Sequence, residues 1–347
     1  KIKVLQLITG LGMGGAEKVV LELSKFLNKD HYENHVISLG KRIELVENFK
    51  SENINVTVLN HENSIVFLLT MLKKIHRYII ANDISIIHAH MIHPLIIASL
   101  IKLTNPKLKI IYTSHSANIG SKVREYLAWI LLAFRDVDVI FSKELHRYYN
   151  KKNYRIIPNG INITKYDLSL KKNDVFTITT IGRLEYVKNH SFLLDLARDI
   201  KSVFKFKIQI VGTGKLEYEL KKKVKALKLE NQVYFLGLRN DIPQILNRSH
   251  CFILPSYWEG LPLVLLEAGA SRVPILSTSV GSIPSFINDS TGYLFGLKDF
   301  KEAIINIYNN YPLAMYKADA LFLKVQQRYS IETFVQSHQE LYISLHS

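Results

Sequence analysis

A chain of 347 residues is long enough for two domains of ordinary size, and 48% hydrophobic with 22% charged residues excludes a disordered chain. A single cysteine, Cys251, excludes a disulfide framework and a cysteine-based metal site, and fits a reducing cytosol. The net charge of +15 is uneven, with 23 Lys+Arg against 13 Asp+Glu in residues 1–165 and 22 against 17 in residues 166–347. Such an excess suits an anionic partner (a membrane surface, a nucleic acid or a phosphate-bearing substrate), or serves solubility alone.

Apolar strand-like runs alternate with amphipathic helical runs along the whole chain, the pattern of α/β folds with parallel sheets. Residues 3–9 read as the first strand and 15–28 as the helix after it. The opening run enters that strand directly, so a signal peptide is not expected. Between strand and helix, Gly10-Leu-Gly12-Met-Gly14-Gly15 contains the G-x-G-x-x-G spacing of a dinucleotide turn. The acidic residue that would hold the ribose of NAD is replaced by Gly40-Lys41-Arg42, which argues against NAD, while Lys41 or Arg42 could still serve NADP. What stands in any case is a glycine-rich turn that lets backbone approach a ligand at a helix N-terminus, with Glu17 in the first turn.

Further strands are expected at 35–39, 54–59, 84–88, 109–113 and 137–142. Residues 64–80 are strongly apolar, with Lys73, Lys74 and Arg77 among them; such a helix packs on a sheet, docks on an anionic membrane, or does both. Residues 124–134, with Trp129, invite the same pair of readings. No apolar run reaches the roughly 20 residues needed to span a bilayer. His88, His90, His93 and His115 should converge at one rim, where His115 leads into a small polar loop. No acidic residue stands among them to complete a hydrolytic metal set, and hydrogen bonding to sugar hydroxyls or a phosphate suits them better. For His88 and His93, core packing is the competing reading. Asp136-Val-Asp138 has the spacing of a metal-binding D-x-D but leads into a buried strand.

The pattern restarts after the break at 158–174, with strands expected at 175–181, 206–211, 233–236, 251–254 and 274–277. Two such series imply two doubly wound domains that bind ligands at the C-terminal ends of their strands. Gly182-Arg183-Leu184 with Lys188 sets two cations at a helix start, which suits a pyrophosphate. Gly212-Thr-Gly214 repeats the turn after the next strand, and Arg239 after the third is placed to meet a base. The lysine-rich run 215–228 reads as a solvated helix face. Leu254 to Ala270 then joins an apolar strand, a loop with Pro255, Gly260 and Pro262, and an apolar helix from about Leu263. Glu259 lies in that loop and Glu267 inside the helix. A carboxylate among leucines is costly unless it accepts hydrogen bonds, which the hydroxyls of a ribose or hexose would donate. Alternatively Glu259 caps the helix and Glu267 forms a core salt bridge.

Five motifs in this order resemble family-4 glycosyltransferases of the GT-B type, over essentially the whole chain. They are Gly14-Gly15-Ala16-Glu17, Thr113-Ser-His115-Ser, Ile157-Pro-Asn159-Gly160-Ile-Asn162, Gly182-Arg183-Leu with Lys188, and the Glu259/Glu267 pair. The resemblance implies two tandem Rossmann-like domains with an interdomain cleft. Residues 1–163 would bind the acceptor and 164–330 the nucleotide sugar, and 331–347 would form a helix packing back towards the first domain. It implies that Gly14 and Gly15 lie against the donor diphosphate, that His115 lies beside the transferred sugar, and that Arg183 and Lys188 neutralise the departing diphosphate. Glu259 would hold sugar hydroxyls, the backbone of Gly260 and Leu261 would approach the sugar and phosphate, and Glu267 would take the ribose hydroxyls. Gly212 and Arg239 complete the donor set. Closure of the two domains would assemble the site.

The resemblance further implies retention of anomeric configuration by same-face attack, with no metal or other cofactor required, because Arg183 and Lys188 supply the positive charge. One departure stands out: where many members have Gly-Gly-x-Pro-Glu, this chain has Val280-Gly281-Ser282-Ile283-Pro284-Ser285. The expected protein is a cytosolic transferase that takes a UDP-sugar to a glycan or to a polyprenyl- or other lipid-linked acceptor in bacterial surface-glycan assembly. It would touch the anionic inner face of the cytoplasmic membrane. The alternative is a non-catalytic nucleotide-sugar-binding subunit of a glycan assembly complex. Epimerase chemistry lacks a carboxylate set for proton abstraction, and the basic charge lacks the aromatic interleaving of a nucleic-acid platform.

Overall fold

The computed structural model describes residues 1–60, 65–115 and 119–346. Ser64, the expected start of the basic amphipathic helix, and Ser116, the last residue of the Thr113 motif, lie outside these. The chain divides into two compact units, Lys1–Gly160 with Ile331–Ser347, and Ile161–Ser330.

Within the described residues the first unit holds seven parallel strands: β1 (Ile2–Ile8), β2 (Tyr32–Ser38), β3 (Asn55–Val58), β4 (Ile86–His90), β5 (Lys109–Thr113), β6 (Val137–Ile140) and β7 (Tyr154–Ile156). Their order is β3-β2-β1-β4-β5-β6-β7. The helices between them are α1 (Gly15–Phe26), α2 (Val46–Ser51), α3 (Ile65–Ala81), α4 (Ile92–Thr104) and α5 (Lys122–Ile130). Both faces of the sheet are covered, as the near-continuous apolar strands require. Val20 of α1 and Phe49 of α2 pack with Ile8 and Val36 on one face. Met71, Ile75 and Ile79 of α3, Leu95 and Ala98 of α4, and Ala128 of α5 pack with Leu5, Leu7, Ile87 and Ile110 on the other.

The second unit holds six parallel strands, β8 (Phe176–Ile181), β9 (Phe206–Val211), β10 (Val233–Gly237), β11 (Cys251–Leu254), β12 (Ile275–Thr278) and β13 (Tyr293–Phe295), in the order β10-β9-β8-β11-β12-β13. Its helices are α6 (His190–Ile200), α7 (Glu217–Ala226), α8 (Ile242–Arg248), α9 (Leu263–Ala270), α10 (Ile283–Phe286), α11 (Phe300–Asn309) and α12 (Tyr311–Arg328). The last helix, α13 (Ile331–His346), lies with the first unit against α1, β1 and β4.

Each sheet reverses its winding once. In the first unit the reversal falls between β1 and β4, and in the second between β8 and β11. The crossover loops diverge at such a point and leave a crevice at the strands' C-terminal ends, where open α/β sheets take their ligands. The α/β class with two doubly wound units therefore holds, and each unit has its own crevice at the reversal of its sheet.

Asp136 and Asp138 serve the fold. Asp136 accepts from Lys102 Nζ at 2.6 Å and from the Ile110 backbone N–H at 2.8 Å. Asp138 is wholly buried and accepts from Arg135 Nη1 at 3.1 Å, Asn150 Nδ2 at 3.1 Å and the Lys151 N–H at 3.0 Å. Burial pushes the Asp138 carboxyl upward, and the Arg135 guanidinium and these donors pull it back.

Candidate active site

In the second unit, the loops leaving β8 and β11 meet at the reversal of the sheet. Lys188 ends a short turn, Tyr186–Lys188, and its Nζ lies 2.6 Å from Oε1 of Glu259. The two side chains are 16% and 11% exposed, so the charges are mostly withdrawn from water yet still reachable. Ser256 Oγ donates to the same carboxylate oxygen at 2.7 Å. Pro262 precedes α9 with no side-chain cap, so Glu259 is held by Lys188 and Ser256 rather than acting as the helix cap. A backbone bond from Tyr257 N–H to Val187 O, 2.9 Å, ties the two loops, and the rings of Tyr186 and Tyr257 stack at 4.8 Å.

Glycine makes this closeness possible at two places. Gly212 has φ +126°, and a Cβ there would fall 2.1 Å from the Gly182 carbonyl oxygen. Gly281 has φ +58°, and its Cβ would fall 1.8 Å from the carbonyl oxygen of Glu259. Any side chain at either position would push apart the turns that carry Lys188 and Glu259. The departure from the family pattern at 280–285 thus keeps the one glycine that the Glu259 loop needs.

Arg183 stands further out. Its side chain is 69% exposed and pairs with Glu185 at 3.0 Å, an exchangeable surface contact. Glu267 is 5% exposed within α9 and accepts from the Tyr166 hydroxyl at 3.0 Å. Gly260 is half-buried and Leu261 buried beside Glu259. Arg239 lies beyond β10, at the edge of the sheet, where Asp241 clasps it through two bonds of 2.7 and 2.6 Å. The second unit therefore gathers Lys188, Glu259, Gly260, Leu261 and Gly212 around one crevice. Arg183 stands at its open side, and Arg239 is engaged by its own neighbour. Burial and the nearby Lys188 lower the pKa of His190, the first residue of α6, to about 4.

In the first unit, Gly14 caps α1 and Gly15 opens it, and a Cβ on Gly15 would meet open space. The stem of Arg42 lies across Gly10 and Gly12. The histidines fall into two groups. His88 and His90 are buried on β4, their rings stacked at 4.2 Å, and His90 Nδ1 lies 2.7 Å from His115 Nε2. His93 is exposed in the first turn of α4; the fourth ring in the stack is instead His338 of α13, 5.6 Å from His88. His88, His90, His115 and His338 line one small cavity with Thr113 and Phe141. Burial, reinforced by His338, lowers the pKa of His115 to about 3, and His88 and His90 also lie well below the ordinary value. His115 itself adopts the left-handed backbone, φ 58°, uncommon for a residue with a side chain. Among the described residues no group of three His, Cys, Asp or Glu side chains is disposed to hold a metal ion.

Ser256 and Tyr166, which bond the two carboxylates, and Gln6 and Tyr342, which lie 2.8 Å from His90 Nε2 and 3.0 Å from His88 Nδ1, are the polar partners that sequence reasoning passed over. Gln6 alone carried a signal, as a polar residue in the middle of an apolar strand.

Two doubly wound α/β units, the second with a lysine and a carboxylate paired at the reversal of its sheet, define the class of protein by its fold. Comparison with known families gives the particular class. The family described as "Glycosyltransferase Family 4" matches residues 13–165, and that described as "Glycosyl transferases group 1" matches residues 164–319. The chain belongs to the family-4 glycosyltransferases of the GT-B type. It is 26% identical over 329 residues to the UDP-Gal:alpha-D-GlcNAc-diphosphoundecaprenol alpha-1,3-galactosyltransferase of Escherichia coli, covering 84% of this chain and 81% of that one. The capsular polysaccharide biosynthesis glycosyltransferase CapH of Staphylococcus aureus is 27% identical over 319 residues, 84% of this chain and 86% of that one. Anabaena HepE in complex with UDP superposes with a TM-score of 0.85 at 19% identity, over 99% of this chain and 100% of that one. A glycosyltransferase from Rickettsia africae gives 0.86 at 20% identity, over 99% and 98%.

Proposed function

We propose that this glycosyltransferase moves a sugar from a UDP-sugar to a glycan or lipid-linked acceptor of bacterial surface-glycan assembly, with retention and without a metal ion. What supports this reading is the Lys188–Glu259 contact at the β8/β11 reversal. It sets a cation where a diphosphate would bind and a carboxylate where sugar hydroxyls would bind. As the anomeric C–O bond breaks, its electron pair passes to the diphosphate oxygen, and Lys188 and Arg183 lower the cost of that charge. The acceptor oxygen bonds to the anomeric carbon on the face the diphosphate leaves, and its proton goes to a leaving phosphate oxygen. Glu267 takes the ribose hydroxyls. The E. coli relative is named for UDP-Gal and a diphosphoundecaprenol-linked sugar, and HepE was crystallised with UDP, which favours uridine and a lipid-linked acceptor.

Nucleotide release from a panel of UDP-sugars, with acceptor and EDTA present, tests this directly. Glu267→Ala and Arg183→Ala should each abolish release while circular dichroism stays native. Full turnover in both variants would sink the assignment of the site, and loss of all activity with EDTA the metal independence. UDP-sugar binding without release would favour the non-catalytic subunit.

The acceptor half of this reading includes an anionic membrane. No helix among the described residues is long and apolar enough to cross a bilayer. Helices α3 and α5 cover the same face of the first sheet. On its outer side α3 exposes Leu69, Lys73, Lys74, Arg77 and Ile80, and α5 exposes Lys122, Val123, Tyr126, Trp129 and Ile130. Basic and apolar groups side by side suit anionic headgroups over acyl chains. Peripheral attachment at the inner face of the cytoplasmic membrane follows. Co-sedimentation should rise with the anionic lipid fraction of vesicles, fall with salt and weaken in Trp129→Ala. Binding indifferent to lipid charge would leave the basic excess a matter of solubility.

A further inference from the structure

Gln6 stands wholly buried in β1, beside the reversal of the first sheet, and its amide makes three bonds. Nε2 donates to Asn34 Oδ1 at 3.0 Å and to the Tyr342 hydroxyl at 3.1 Å, while Oε1 lies 2.8 Å from His90 Nε2. An amide oxygen only accepts, so His90 carries its proton on Nε2. A neutral imidazole has one N–H, which leaves the lone pair of His90 on Nδ1. His115 Nε2, 2.7 Å from that lone pair, must then be the donor. The single proton of a neutral His115 is thereby fixed on Nε2, and its lone pair on Nδ1.

A second branch runs the same way. The Tyr342 hydroxyl, having accepted from Gln6, gives its hydrogen to His88 Nδ1 at 3.0 Å, and His88 Nε2 donates to Thr113 Oγ1 at 2.8 Å. Burial keeps these rings neutral at physiological pH, His115 with a pKa of about 3. The bond to His90 also holds His115 in its left-handed backbone conformation, which needs such support from its surroundings.

We propose that Gln6 is a positioning residue that fixes His115 as the Nε2–H tautomer, so that His115 meets the donor through an accepting nitrogen and selects a sugar hydroxyl rather than a phosphate oxygen. An ionised phosphate has no hydrogen to give, and its lone pairs repel that of Nδ1; a hydroxyl supplies the proton. The selection rests on the reading that His115 lines the donor site, whereas the tautomer belongs to the protein without ligand.

Histidine-selective ¹⁵N labelling of the ligand-free full chain reads the tautomer, with the His115 signal identified by its loss in His115→Ala. His115 and His90 should both appear as Nε2–H. In Gln6→Leu both should become mixtures, and the KM for the turned-over UDP-sugar should rise by about tenfold, as for one lost neutral hydrogen bond. In Tyr342→Phe the His88 signals should shift while His115 stays Nε2–H. Affinity for UDP alone should be the same in wild type, Gln6→Leu and His115→Ala. A proton on Nδ1 of His115, a charged ring, or an unmoved tautomer in Gln6→Leu overturns the positioning. Weakened UDP binding in His115→Ala overturns the preference for a hydroxyl. Should Gln6→Leu fail to fold, the wild-type tautomer and the Tyr342→Phe contrast decide. A correct tautomer in a protein that releases nucleotide from no UDP-sugar would remove the transferase reading and leave the positioning intact.

Discussion

Lys188→Ala is expected to lower kcat by about 10²- to 10³-fold, the usual cost of removing one preorganised charge from a developing anion. Two effects add in this variant. On the function proposed above the departing diphosphate loses a cation, and Glu259, deprived of the partner at 2.6 Å, is left as an uncompensated carboxylate in the same crevice. Glu259→Ala should also be slow, for a different reason: Lys188 remains, but the sugar loses its acceptor and the lysine its fixed position. Because the two groups act as a unit, Lys188→Ala/Glu259→Ala should be no slower than the worse single variant, within about threefold. Steady-state kinetics on all three proteins, with melting curves to verify folding, give the comparison. A Lys188→Ala enzyme within about threefold of wild type would remove Lys188 from the mechanism.

That pairing marks the limit of what the sequence discloses. Lys188 and Glu259 were each recognisable from their own loops, as a cation at a helix start and an acid beside glycine and proline. Their contact depends on β8 lying next to β11, a strand order to which local periodicity is blind. The eleven strands expected from apolar runs all form, because strands buried on both faces must be continuously apolar. The two that were not expected, β7 and β13, have three residues each, close the sheet edges and are only partly buried, so their hydrophobic signal is weak. β4 begins two residues later than expected, at Ile86, and runs through His90. A shift of two keeps His88 and His90 on one face, but it turns His90 from a rim residue into a buried link between Gln6 and His115. Tyr342, which bonds Gln6 from 336 residues away, had no local signature at all. The motif side chains stand on recognisable loops; the side chains that hydrogen-bond them, such as Ser256, Gln6 and Tyr342, are scattered through the chain.

The same buried histidines should make the protein sensitive to mild acid. Among the described residues His88, His90, His115 and His338 form one ring cluster, each with its pKa lowered chiefly by burial, His338 to about 4 and His115 to about 3. In the unfolded chain each returns to about 6.5. Below that value the unfolded state binds protons that the folded state refuses, so stability is complete above about pH 7 and declines as pH falls towards 4. Four such groups give a slope of about 5 kcal/mol per pH unit once the unfolded histidines are fully charged. For a unit of this size the transition temperature should drop by about 10–20 °C between pH 6 and 5. His190 and His250, both lowered to about 4, impose a smaller decline of the same sign on the second unit. Calorimetry at pH 7.5, 6.5 and 5.5 on wild type and His338→Phe separates the contributions. The variant keeps a ring against Phe334 and His88 but takes up no proton, so the share of the first unit's slope that this cluster supplies should shrink by about a quarter, while His35 on β2, also lowered by burial, keeps its own. A melting temperature constant from pH 7.5 to 5.5 would mean that these rings are charged in the folded protein, and the neutral chain from Gln6 to His115 would fall with it.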